Sequence, residues 1–361
     1  MTREELWARF AAPVAAYRPM MFWIWNGEMD EGRIRDQVAD LAAKGCGGFF
    51  IHPMGESFRL EDFIRGIRPP YLSEEYFDAV AVAVDEARIR GLYAWLYDEG
   101  GWPSGTAQGH VLSGHPEYTA QVLVLESVAV ASGARPEPPE GAVAALGWSR
   151  ESGVKPLELR GGGVEVPTGV TQVLFACVRP VEGRVNLLSP AAVARFIEVT
   201  HERYAARVGQ YFGSVIPGIF TDEPAVVGRV GSHAIPWTGD MLKLFLERRG
   251  FDLVPLLPLL FAEQSVPPGL HDQYEPHVVA QVRCEFCELW TDLYREAYWE
   301  QINRWCETHG LIHTGHVGGE DTLLDHGRQG FGHFFKTAGA LHAPGVDVIW
   351  RQLMWGQDNF G

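Results

Sequence analysis

The sequence predicts a (β/α)8 barrel of the TIM type, incomplete at the C-terminus and interrupted by a small β insertion after its third strand. Three observations predict it. Short apolar runs, each followed by apolar positions at helical spacing, recur in six units. Between residues 119 and 188 the pattern turns strand-like, with no long helical period. Polar side chains capable of chemistry stand directly after the apolar runs, where a parallel barrel would gather them on one face. The chain accordingly divides into a first barrel part (1–118), a β-rich insertion (119–188) and a second barrel part (189–361).

Strand one is Met21-Phe22-Trp23-Ile24-Trp25, closed by Asn26-Gly27, with Ile34, Val38, Leu41 and Ala42 marking its helix. Strand two is Gly48-Phe49-Phe50-Ile51, ending at His52-Pro53. Ser73 and two glutamates then open a helix carrying Phe77, Val80, Val84 and Ala87. Strand three, Leu92 to Tyr97, runs into the polar, glycine-rich loop Asp98 to Gly105. In the insertion, Gln121 to Leu125 and Val170 to Phe175 are strand-like and flank Gly/Pro-rich connections.

Ser189-Pro190 starts the next helix, whose buried stripe is Val193, Phe196, Ile197, Thr200, Tyr204 and Val208. Strand four is Val215 to Phe220, followed by Thr221-Asp222-Glu223-Pro224. The stretch from Thr238 to His309 reads as mostly helical. Strand five is Leu311 to His316, a helix covers Phe331 to Leu341, and strand six is Val346 to Trp350. Six units leave the barrel two strands short. Either Leu256 to Phe261 is a further strand, or the chain is the front part of a longer protein. A doubly wound sheet is the alternative, but its first turn should carry a Gly-rich phosphate loop, which Asn26-Gly27-Glu28-Met29-Asp30 is not.

With 361 residues, 46% hydrophobic and 21% charged, the chain can bury a sizeable core. A net charge of -16 repels nucleic-acid phosphates and anionic lipid, so the expected partners include no nucleic acid and no membrane. The N-terminus Met1-Thr2-Arg3-Glu4-Glu5 lacks the basic start of a signal peptide, which predicts a cytoplasmic protein. Five scattered cysteines do not make a disulfide framework.

The candidate site residues are Asn26, His52, Asp98, Glu99, Asp222, Glu223, His316, Glu320 and Asp321, all just beyond strand ends. Glycosidic cleavage needs two carboxylates, one protonated to assist the leaving oxygen and one ionised to activate water or attack the sugar. Glu223 and Glu320 are the pair chosen, Glu223 beside the charge of Asp222 and Glu320 in a loop of small residues. Asn26, His52, Asp98, Glu99, Trp102, Asp222 and His316 are the expected sugar contacts. Trp23, Trp25, Trp102, Trp237 and Trp355 lie near strand ends, and flat aromatic faces suit sugar rings, although Trp23 and Trp95 read as core.

Metal readings compete less well. Cys284 and Cys287 lie in a helical pattern and read as core thiols. His313, His316, His326, His333 and His342 form a histidine-rich stretch that a hydrolytic metal centre would use, but strand one offers Asn26 in place of an early His-x-His. No cofactor is required by the sequence, and an oxygen site for calcium built on Asp98, Asp222 or Asp321 stays open. No P-loop, nucleophile elbow or dinucleotide fingerprint occurs.

The chain resembles the catalytic barrel of glycoside hydrolase family 106, the α-L-rhamnosidase-like proteins. The resemblance rests on Arg18-Pro19 with Phe22-Trp23-Ile24-Trp25-Asn26-Gly27, on Gly47-Gly48-Phe49-Phe50-Ile51-His52-Pro53, and on Tyr97-Asp98-Glu99-Gly100-Gly101-Trp102-Pro103-Ser104-Gly105. It covers the first third well and the rest loosely, and it favours an N-terminal fragment or a shortened homologue. It implies an inverting glycosidase acting on polysaccharide side chains, with glutamates as acid and base at the positions of Glu223 and Glu320 and a calcium ion near the site. The wording Thr221-Asp222-Glu223-Pro224 departs from that family and is more similar to the strand-four acid of the broad retaining clan.

Three functions fit these residues. The first is a glycoside hydrolase on a terminal sugar, α-L-rhamnosyl by resemblance. The second is a non-catalytic carbohydrate-binding barrel. The third is a metal-dependent hydrolase built on His52, His313, His316 and Asp347.

Overall fold

The computed structural model describes residues 1–55, 66–159, 163–227, 235–319 and 330–348, together with the backbone of 353–354 and 357–358. Its centre is a six-stranded parallel sheet. The strands are β1 (Met20–Trp25), β2 (Gly48–Pro53), β3 (Tyr93–Tyr97), β8 (Gly218–Asp222), β10 (Ile312–His316) and β11 (Ala343–Pro344), paired in that order. Strands that are successive in this sheet lie side by side, the order of a (β/α) barrel. Among the described residues, however, the sheet stays open, with β1 and β11 as its edges, so the expected closed barrel is not observed.

Helices fill the parallel connections, as right-handed crossovers require. α1 (Arg3–Ala11) precedes the sheet, and α2 (Glu31–Ala43) joins β1 to β2 with Asp30 accepting from the Arg33 N–H at 2.8 Å. α3 (Glu74–Arg90) joins β2 to β3, capped by Ser73 at one end and by left-handed Gly91 at the other. α4 (Pro190–Val199) and α5 (His201–Val208) lead into β8. Between β8 and β10 lie α6 (Met241–Arg249), α7 (Pro276–Tyr294), a π turn at Arg295–Trp299 and α8 (Glu300–Thr308); α9 (Phe334–Ala338) precedes β11.

The insertion forms an antiparallel sheet of β4 (Thr119–Ala129), β5 (Ala142–Ser149), β6 (Gly153–Leu157) and β7 (Gln172–Val185). A fifth strand, β9 (Ile235–Trp237), joins it by pairing with β4, although it comes from the second barrel part of the sequence. Period-two alternation places this sheet. Leu174 and Ala176 face the main core with Trp25, Val84 and Phe196, whereas Val173, Phe175 and Cys177 face a second core with Val164 and Val170. The insertion is thereby welded to the parallel sheet through apolar contact on one face.

Three sequence-based boundaries shift. Leu256 to Phe261 is no strand, because the prolines at 255 and 258 support a 3-10 turn over Val254–Leu260. Strand four extends through Thr221 and Asp222, since Gly315 allows the backbones to close. A Cβ on Gly315 would stand 2.0 Å from the Thr221 carbonyl oxygen. Strand six pairs earlier than expected, at Ala343–Pro344, while Val346–Val348 lie outside any strand and residues 349–350 lie outside the described part. No helix among the described residues is long and apolar enough to cross a membrane.

Candidate functional site

The C-terminal ends of the parallel strands carry a layered polar cluster. At its base Phe22, Phe50, Tyr97 and Phe220 form an aromatic floor, with ring centroids of contacting pairs 5.1–6.5 Å apart. Above the floor, the Tyr97 hydroxyl donates to Asp222 Oδ2 at 2.5 Å, and His316 Nε2 lies 3.0 Å from Asp222 Oδ1. Burial alone would raise the Asp222 carboxyl, but His316 and Tyr97 more than offset it, so Asp222 is held below its ordinary range. Asp222 therefore stays ionised and fixes the His316 ring.

The loop after β3 locks this arrangement from one side. The Ser104 hydroxyl donates to Asp98 Oδ1 at 2.6 Å and accepts the Asp222 backbone N–H at 2.8 Å. Asp98 is 0% exposed, and burial pushes its carboxyl well above the ordinary range. Glu99 turns into its own loop, where its carboxylate accepts the N–H groups of Gly100, Thr106, Ala107 and Gln108 at 2.7–3.0 Å. Both acids, expected as sugar contacts, are thus internal struts of the site.

His52 is the unusual side chain. It is 5% exposed and stacks on Tyr97 at 4.0 Å, yet neither ring nitrogen has a hydrogen-bond partner among the described residues. Burial lowers its pKa to about 4 against the pull of Asp222, so the ring is neutral. Trp102 flanks it, half-buried, with ring centroids 6.0 Å apart. Asn26 is exposed at the end of β1. Trp25 and Trp237 are buried core rather than sugar platforms, and Trp23 donates to Gln37 of α2.

Glu223, directly after β8, is half-buried and adopts a left-handed backbone with φ 44°, its N–H donating to the His316 carbonyl at 3.2 Å. A non-glycine residue held there carries strain, a common mark of a working position. His316 and Asp347 stand beside it, so that one ligand atom from each of the three lies within 4.8 Å of the others. The topology explains the gathering, because β8, β10 and β11 are adjacent strands. Glu320, Asp321, His326 and Trp355 lie outside the described residues.

Among the described residues, the histidine-rich stretch does not converge on one point. His313 is fully buried, bonded to Asn303 through Nδ1 at 2.6 Å, and its backbone N–H donates to His342 Nδ1. The proposed set of His52, His313, His316 and Asp347 therefore does not form a metal centre; Glu223 stands where two further histidines were expected. Calcium, implied by the family resemblance, takes six to eight oxygen ligands. The trio offers an imidazole and two carboxylates, while Asp98 and Asp222 already serve Ser104, Tyr97 and His316. The described residues do not fit calcium. Cys284 and Cys287 sit on α7, but Cys284 is exposed and Cys287 half-buried, so they are not the pair of core thiols expected; burial raises the Cys287 thiol.

Sequence reading missed Tyr97 and Ser104, which hold Asp222. The signal for Tyr97 was its alternation with Trp95 on the sheet face that also bears Phe50 and Phe220.

No family model matches the chain, and no curated protein matches it. Among solved structures it is similar to a rhamnosidase from Novosphingobium sp. PP1Y, with a TM-score of 0.62 and 13% identity over 92% of this chain and 48% of that one. An isomaltulose synthase from Protaminobacter rubrum aligns with a TM-score of 0.35 and 10% identity over 85% of this chain and 45% of the other. The chain spans about half the length of these structures. At 13% identity, the first likeness is one of fold.

Proposed function

We propose that this chain is a glycoside hydrolase and that Glu223 is its general acid. The observation that carries the reading is the position of Glu223: half-buried, strained, at the C-terminal end of a parallel strand and within 4.8 Å of a second carboxylate. Glycosidic cleavage needs two carboxylates at one place, and this neighbourhood supports the reading. The fold likeness to a rhamnosidase and the motif resemblance to family 106 support the same class and make α-L-rhamnosyl the first sugar to try. In the inverting form of the reading the base is Glu320; the alternative second carboxylate is Asp347.

The test is a panel of 4-nitrophenyl glycosides, including α-L-rhamnopyranoside, with wild type and Glu223→Gln. Expected is turnover of one sugar, lost in the variant while the sugar still binds. Binding of a sugar by wild type without any turnover would instead select a carbohydrate-binding barrel. A second reading, a metal hydrolase, draws on the imidazole in the trio. Stoichiometric zinc in the purified protein, with activity lost to chelator, would select it.

A further inference from the structure

We infer that Tyr294 is a positioning residue: through the carbonyl of Pro224, its hydroxyl holds Glu223 in the left-handed backbone that aims this acid. The role of Glu223 itself rests on the glycosidase reading above. Four successive residues at the end of β8 are each tied from a neighbouring element. Thr221 Oγ1 shares a hydrogen bond with the Tyr298 hydroxyl at 2.7 Å. The Asp222 N–H donates to the Ser104 hydroxyl at 2.8 Å, and the Asp222 carbonyl accepts the Ser104 N–H at 2.7 Å. The Glu223 N–H donates to the His316 carbonyl at 3.2 Å, and the Pro224 carbonyl accepts the Tyr294 hydroxyl at 2.6 Å.

These bonds surround a strained point. Glu223 has φ 44°, a region that costs free energy for a residue with a Cβ and persists only where the surroundings over-determine it. Ser104 and His316 fix the chain before and at Glu223, and the bond from Tyr294 grips it immediately after. Gly318 bounds the side chain, since a Cβ there would stand 3.0 Å from Glu223 Cγ. With the backbone gripped on both sides, the Glu223 carboxyl starts from a fixed Cα–Cβ direction. A general acid needs that, because its proton must lie within hydrogen-bond reach of the leaving oxygen.

A local device in the helix layer supplies the grip. α7, the π turn and α8 run as one continuous helix, since Tyr294, Arg295, Trp299 and Glu300 all keep right-handed helical angles. Within it the Glu300 N–H reaches back to the Arg295 carbonyl, the five-residue bond of a π turn, a feature frequent at functional sites. Tyr294 stands at the start of that turn and Tyr298 inside it, both fully buried, with ring centroids 5.8 Å apart. Their hydroxyls end on Pro224 and Thr221, the two residues that bracket Asp222 and Glu223. Each ring fills the core as a phenylalanine would, and each hydroxyl adds a bond to the end of β8.

Two measurements test the grip. Glycine takes φ 44° at less cost than alanine, so Glu223→Gly should have a higher urea midpoint than Glu223→Ala. Adding Tyr294→Phe to each should shrink that gap by about half or more, because an ungripped backbone relaxes toward ordinary angles. No gap, or one that Tyr294→Phe leaves unchanged, overturns the inference. The second measurement uses the sugar that wild type turns over. Tyr294→Phe alone should slow its phenyl glycoside about tenfold or more, and should leave its 2,4-dinitrophenyl glycoside, whose leaving group departs without a proton, near the wild-type rate. Loss of folded enzyme would slow both alike, so equal slowing, or none, overturns the inference. If no glycoside is turned over, the glycosidase reading fails by itself. The midpoint gap then decides alone, narrowed in favour of the grip and unchanged against it.

Discussion

His52→Phe should make the protein more stable and less active at once. The imidazole is 5% exposed with both nitrogens unpartnered among the described residues, and phenylalanine keeps the ring that stacks on Tyr97 at 4.0 Å. Removing a buried polar group that lacks a partner recovers about 1–3 kcal/mol. Acid adds a second effect. Burial holds the His52 pKa at about 4, against 6.5 when free. The unfolded chain therefore takes up a proton below pH 6.5 that the folded protein refuses, so stability is full above 6.5 and is lost as pH falls toward about 4. Each pH unit in that window is worth about 1.36 kcal/mol, so by pH 5 wild type loses about 2 kcal/mol through this residue, and the variant does not. Asp98 and Glu99, whose carboxyls burial raises, act in the opposite sense but in both proteins alike. Urea midpoints at pH 8 and pH 5, with rates on the active glycoside, read both effects. Equal pH dependence in the two proteins would refute the titration argument, and undiminished activity in the variant would refute a ligand role for His52.

Other variants probe the supporting structure. His201 is fully buried with a pKa lowered to about 3 by burial, so His201→Gln should also narrow the stability difference between pH 8 and pH 5 by about 2 kcal/mol; an unchanged difference would count against it. Glu99→Ala strips the acceptor from four loop N–H groups and should cost about 3 kcal/mol or more, read as a lower urea midpoint; a midpoint equal to wild type would show that the loop holds itself. Tyr97→Phe deletes a 2.5 Å bond to an ionised carboxylate and should cost about 1.5–3 kcal/mol while raising the Asp222 pKa and moving the acid limb of the pH–rate profile upward; an unmoved profile would separate Asp222 from catalysis. Gly315→Ala forces a Cβ against the Thr221 carbonyl and should split β8 from β10, seen as poor soluble yield; normal folding would mean that the strands can shift apart at no great cost.

The alternation of apolar runs and helical spacing by itself determined the parallel strands, most of their helices and the β-rich insertion, because those features depend on local periodicity. It also placed Asp222, Glu223 and His316 at strand ends. Sequence could not tell which acids the fold buries, because that depends on where a loop turns. Asp98 and Glu99 look like ligands in the sequence, yet serve Ser104 and four backbone N–H groups in the fold. Nor could it bring Asp347 to Glu223, which lie 124 positions apart in the numbering and meet only because β10 and β11 pair beside β8. Periodicity is a property of neighbours along the chain, and it fixed the elements. The distance between two carboxylates is a property of strand pairing and burial, and only the tertiary structure decided it.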